Sequence, residues 1–120
     1  KLHTELKQQI QSLQLENHIE LKGALSYHDT QRHISKAKIL LHPSIYESFG
    51  MVFAEALSLQ TAIVSRNVGF AEGTEHWFLG NNPEDFVNGC LTLLQKKDSL
   101  QPTYPAIEKT VVSYLKIYEQ

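Results

Sequence analysis

Two carboxylates, Glu47 and Glu55, bracket a Ser48-Phe49-Gly50 turn in the stretch LHPSIYESFGMVFAEAL at residues 41–57. From Met51 onward Met51, Ala54 and Leu57, with Val52 and Ala56, recur at helical spacing, so the turn opens a helix. The amides of Phe49, Gly50 and Met51 then fall at a helix N-terminus, where unpaired N–H groups and the macrodipole attract anions such as phosphate. Gly50 admits a ligand close to the backbone. Glu55 lies a little over one turn into the helix, and Glu47 stands at the lip of the loop before it. A strand end, an anion-seeking turn and two acceptor side chains make a cradle for a phosphorylated, hydroxyl-rich ligand. The same glutamates can also be plain solvated charges, and a glycine at a strand-to-helix turn is common in α/β proteins.

Positioning such a turn needs a strand before it and a helix after it. Ile39-Leu40-Leu41 is a short buried strand, ended by Pro43 because proline cannot donate to a ladder. Upstream, Leu2, Leu6, Ile10 and Leu13 form a helical stripe that breaks around Asn17. Ile19 and Leu21 then alternate as a short strand closed by Gly23. Ser26 with Asp29 is a capping signal for a helix to about Ala37. Downstream of the Met51–Leu59 helix, Ala62-Ile63-Val64-Ser65 is a third apolar strand. Val68-Gly69-Phe70 is a turn, with room for a short helix from Ala71, and His76–Leu79 reads as a fourth strand. Asn82 before Pro83, with Glu84 and Asp85, starts a helix to about Gln95. Lys96–Thr103 is a polar loop, and Pro105 opens a last helix with Ile107, Val111, Leu115 and Tyr118 on one face. Short apolar strands alternating with helices predict an α/β fold: a Rossmann-like, doubly wound parallel sheet with ligand sites beyond the strand carboxyl ends. The loop after Ile39–Leu41 is such an end. No internal repeat, low-complexity tract or second domain is visible.

The 120 residues are 42% hydrophobic and 20% charged, which suits one globular core. A net charge of −2 argues against a nucleic-acid or polybasic membrane surface. The lone cysteine, Cys90, forms no internal disulfide, so a reducing cytoplasmic setting is the default. With Phe86, Leu93 and Leu94 it reads as core rather than nucleophile. No apolar run reaches the ~20 residues that span a bilayer. The chain starts at Lys1 inside a helical pattern, and a segment upstream of it is expected. The six histidines, His3, His18, His28, His33, His42 and His76, are scattered and show no metal-ligand spacing, so no metal is expected. His42, at the strand end, can touch a ligand or simply pack. Trp77 and Tyr27 read as core residues.

Pro-Ser, then Glu-Ser-Phe-Gly, then Glu-Ala at Glu-x7-Glu spacing after an apolar strand resembles the signature of retaining glycosyltransferases of the GT-B fold, the family four enzymes (glycosyl transferases group 1). The likeness extends from about Leu6 to Tyr118. Ile19–Gly23 resembles the family's strand ending in glycine, and Ala37-Lys38-Ile39 its alanine-aspartate-valine strand. Ala62–Ser65 is similar to its valine-rich strand and Val68–Glu72 to its Gly-Gly-x-x-Glu turn. Departures are Gln60 and Ala62 where the family has glycine and proline, Phe70 for the second glycine, and Lys38 for the aspartate. The lobe's first strand and helix, with a basic pair for the donor diphosphate, have no counterpart, and neither Arg32 nor Arg66 sits in the matching context. The chain is thus expected to be one C-terminal, nucleotide-sugar-binding lobe spanning residues 1–120, without the N-terminal acceptor domain.

The resemblance implies transfer of a hexosyl group from a nucleotide sugar to a glycan or lipid-linked acceptor, with retention, in polysaccharide biosynthesis. The donor is a substrate, and neither cofactor nor metal is required. It assigns Glu55 to the nucleotide ribose, since a carboxylate suits a cis-diol, and Glu47 to the transferred sugar as the catalytic position. The amides of Phe49, Gly50 and Met51 meet the sugar hydroxyls or distal phosphate; Ser48 supports the turn, and Glu72 can hydrogen-bond to the loop. The enzyme is expected in the cytoplasm, with peripheral attachment at the inner membrane open, and residues 1–120 alone are expected to be inactive. A two-carboxylate glycosidase is the competing use of the pair, disfavoured because Glu55 sits inside the helix and Glu47 at its mouth. The alternative to an enzyme is a non-catalytic α/β partner or regulatory module that keeps the fold.

Overall fold

The computed structural model describes residues 2–96; most of the loop expected up to Thr103, and the helix expected from Pro105, lie outside the described residues. The chain divides into two compact units, Lys1–Thr30 and Gln31–Gln120.

In the first unit, helix α1 spans Leu2–Ser12, where the apolar stripe placed it. None of its residues is buried, and Leu2 and Leu13 are 69% and 66% exposed. Gln14, at φ 55°, terminates the helix: the Gln14 amide donates to Gln11 O and the Leu15 amide to Ile10 O. This left-handed C-cap satisfies carbonyls that would otherwise be orphaned. The strand expected at Ile19–Leu21 does not form. Its alternating pattern finds no ladder partner in the described sheet, and the Ile19 amide donates instead to Leu15 O in a turn. Helix α2, Tyr27–Lys36, begins in this unit and continues into the second, and it starts as its capping signal requires, with the Asp29 amide donating to Ser26 Oγ at 3.1 Å. Tyr27 is 67% exposed, so it is not the core residue expected of it.

The second unit carries strands β1 (Ile39–His42), β2 (Ala62–Ser65) and β3 (Trp77–Leu79), with helix α3 (Met51–Ser58) between the first two and α4 (Pro83–Gln95) after the last. The sheet is parallel in the order β1-β2-β3, with Ile39 opposite Ala62 and Ile63 opposite Trp77. Side chains of the central strand β2 alternate between two cores, as a pleated strand requires. Ile63 packs with Ile34, Phe53, Ala56, Leu57 and Trp77 on one face. Ala62 and Val64 pack with Phe86 and Leu93 of α4 on the other. Helices thus cover both faces, and the α/β, Rossmann-like parallel reading is correct.

Several details differ from expectation. Leu41 is 49% exposed, because β1 is an edge of the described sheet. The buried stripe of α3 is Phe53, Ala56 and Leu57, which leaves Met51 on the outer face. No helix follows Ala71; an antiparallel bridge between Thr74 and Trp77 tightens the approach to β3 instead. Cys90 packs against the α4 core as expected, but Leu94 is 52% exposed. Burial pushes the Cys90 thiol up. Asn82 caps α4 by accepting from the Asp85 amide at 2.8 Å.

Candidate functional site

The loop from Pro43 to Gly50 runs from the carboxyl end of β1 to the start of α3, so the sheet itself delivers the signature to a ligand-binding edge. Gly50 is the N-cap of α3, at φ 90°, and no side chain caps the helix. A β-carbon there would lie 2.5 Å from the Phe53 ring, so the glycine is required by the chain's own packing as well as by its dihedral. Gly50 therefore has a structural reason of its own, apart from any ligand. With no side-chain cap, the Met51 and Val52 amides have no partner among the described residues and are left for water or an anion.

The turn is anchored from below. The Phe70 amide donates to Phe49 O at 2.9 Å, and Gly69, at φ 58°, brings its backbone so near Phe49 O that a β-carbon would collide with it. Phe70 packs on Phe49 with ring centroids 4.8 Å apart, and on Phe53 and Trp77 edge-to-face. The departure from a second glycine at Phe70 is thus absorbed by an aromatic cluster. Among the described residues, Ser48 and Glu72 are exposed and make no hydrogen bond, so the bond expected from Glu72 to the loop does not form.

The two carboxylates differ in their surroundings. Glu47 Oε1 lies 3.1 Å from His42 Nε2, with side chains 30% and 18% exposed. His42 closes β1, and its ring stands edge-on to Phe53 at 5.0 Å. Its Nδ1 is buried without a hydrogen-bond partner, a loss of about 1–3 kcal/mol for such an atom. Glu55, half-buried in the second turn of α3, has no hydrogen bond or ion pair to its carboxylate among the described residues. It shares the outer helix face with Met51, four residues earlier, rather than the core face.

Sequence reasoning gave Arg66 no role. It follows β2, donates from Nε to Pro43 O at 3.0 Å and from Nη1 to Asn81 O at 2.6 Å, and lies over the Phe86 ring. One guanidinium thereby straps together the loops beyond all three strands. An arginine directly after a buried strand was the available signal. The His42–Glu47 contact was hidden for a different reason: four residues of loop separate the two, and only the fold of that loop closes the distance. Among the described residues no three His, Cys, Asp or Glu side chains gather into a metal-holding group. No helix among them is long and apolar enough to cross a membrane.

Residues 1–104 match the family glycosyl transferases group 1. The chain belongs to that family. It is also 28% identical to an uncharacterized glycosyltransferase of Methanocaldococcus jannaschii, over an alignment that covers 87% of this chain and 34% of that protein. The chain spans about a third of that relative's length. No solved structure matches it. Glu47 lies in the loop after β1 and Glu55 on α3.

Proposed function

We propose that this chain is the donor-binding lobe of a GT-B, family four glycosyltransferase that moves a hexosyl group from a nucleotide sugar to a glycan or lipid-linked acceptor with retention. The observation that carries the reading is the uncapped N-terminus of α3, with Glu47 at its mouth and, one turn inside, Glu55, whose carboxylate is unpaired among the described residues. Glu55 accepts from the ribose hydroxyls, and Glu47 from hydroxyls of the transferred sugar. The bond between the anomeric carbon and the diphosphate oxygen breaks with its electron pair on that oxygen, while an acceptor hydroxyl oxygen bonds to the anomeric carbon and gives its proton to the released diphosphate. The N-terminal amides of α3 offset that charge without reorganising during the reaction. No metal is required in this scheme. Acceptor recognition and a basic pair for the diphosphate lie in parts of the protein beyond residues 1–120. The cytoplasm, where nucleotide sugars are made, is the proposed site of action.

The test is a donor screen on the full-length gene product with uridine-, guanosine- and adenosine-diphosphate hexoses. Release of one nucleoside diphosphate that depends on Glu47, and an anomeric configuration retained in the product, are expected. Absence of both turnover and nucleotide binding across the panel would instead make this a non-catalytic module.

A further inference from the structure

His42 ends β1 with its ring fixed from two sides. Phe53 meets the ring edge-on, and Nε2 lies 3.1 Å from Glu47 Oε1. An unprotonated Nε2 facing a carboxylate would be repulsive, so the short contact requires Nε2–H as donor. In the neutral ring Nδ1 is then a bare lone pair, buried with no donor. A residue serving the core alone would not keep that atom, because phenylalanine fills the same space without it. With Oε1 occupied by His42, Oε2 of Glu47 has no partner among the described residues.

We propose that His42 is the positioning residue for Glu47: Nε2–H holds Oε1 and so presents Oε2 to hydroxyl groups of the transferred sugar. This rests on the reading of Glu47 as the sugar-facing carboxylate. A carboxylate held by one oxygen has a fixed rotamer, and orientation near a reacting centre is worth large factors in rate. The same rigid imidazole explains why a loop residue can act with the precision usually reserved for groups on strands and helices.

The test uses His42→Phe and His42→Gln in the full-length gene product, with whichever nucleoside-diphosphate hexose of the panel it turns over. His42→Phe keeps the ring and deletes both nitrogens; the glutamine amide can return an N–H near the Nε2 position. His42→Phe should lower kcat by about ten- to a hundredfold while KM for the donor stays within about twofold. His42→Gln should recover most of that loss. The melting temperature of His42→Phe should be unchanged or higher, because an unmade buried acceptor is gone. Nitrogen-resolved NMR of the imidazole should show protonated Nε2 and bare Nδ1, a preference lost in Glu47→Ala. Wild-type kcat in His42→Phe, or no recovery in His42→Gln, overturns the proposal, as does a kcat loss accompanied by a lowered melting temperature. Failure of the underlying reading looks different: Glu47→Gln would then turn over like wild type, whatever the His42 variants do.

Discussion

Glu47 and Glu55 carry the same charge in unlike places, one tethered to an imidazole and the other on a helix flank without a partner among the described residues. Their spacing was plain in the sequence because it is a matter of counting. What each touches was not, because that depends on how residues 43–50 fold back toward β1. Cys90 shows the opposite case, in which environment was legible from periodicity alone. Its apolar neighbours on α4 predicted burial, and burial raises its thiol. Since the thiolate is the reactive form, the folded chain at pH 7 should react with a disulfide reagent more slowly than the urea-unfolded chain. Equal rates in the two states would show Cys90 to be open. The sign of the linkage is also fixed. A thiol whose folded value lies above its unfolded value loses stability as pH rises, so the difference between Cys90→Ala and wild type should shift in favour of the alanine variant above the ordinary thiol range.

Elements whose ends carry chemical signals were the most legible: Ser26 and Asn82 each cap a helix through the amide three residues on. Ile19–Leu21 was misread because alternation says which side chains share a face but not whether a ladder partner exists. The face of α3 was ambiguous in a similar way, since two overlapping helical stripes fit its apolar residues and Phe53 decides between them. The C-terminus of α3 holds a further lesson. Gln60 adopts φ 60° while its amide donates to Leu57 O and that of Thr61 to Ala56 O, a geometry suited to glycine. Gln60→Gly should therefore stabilise the protein by about 0.5–1 kcal/mol, the left-handed penalty less the added chain entropy of glycine. Chemical denaturation would measure it, and a loss of stability would mean that the glutamine side chain makes a contribution of its own. Gly69 is the reverse case. Gly69→Ala should cost about 1–3 kcal/mol and loosen the turn at Phe49, so turnover should fall together with the melting temperature. A variant as stable as wild type would show that the two turns are not docked.

At the scale of the molecule, alternating strands and helices sufficed to predict a parallel sheet covered on both faces, because few architectures bury such a pattern. The strap at Arg66 was signalled only by its place after a buried strand, and its partners were not, because it joins three loops distant in sequence. The chain spans about a third of its archaeal relative, and acceptor binding is proposed to lie outside it. Residues 1–120 alone should then show no transfer from any donor that the full-length gene product uses, and chelation of divalent metals should leave that product's turnover within about twofold. Transfer by residues 1–120, or loss of turnover on chelation, would count against the scheme. The division of labour between the two carboxylates is the centre of the account, and calorimetric titration with uridine, guanosine and adenosine diphosphates addresses it most directly. Glu55→Ala in the full-length gene product should weaken binding of the preferred nucleotide by roughly ten- to a hundredfold, the loss of about 1.5–3 kcal/mol for charged hydrogen bonds. Glu47→Ala should leave that affinity within about threefold of wild type, because its partner is the sugar. Equal losses in both variants, or no loss in either, would contradict the assignment.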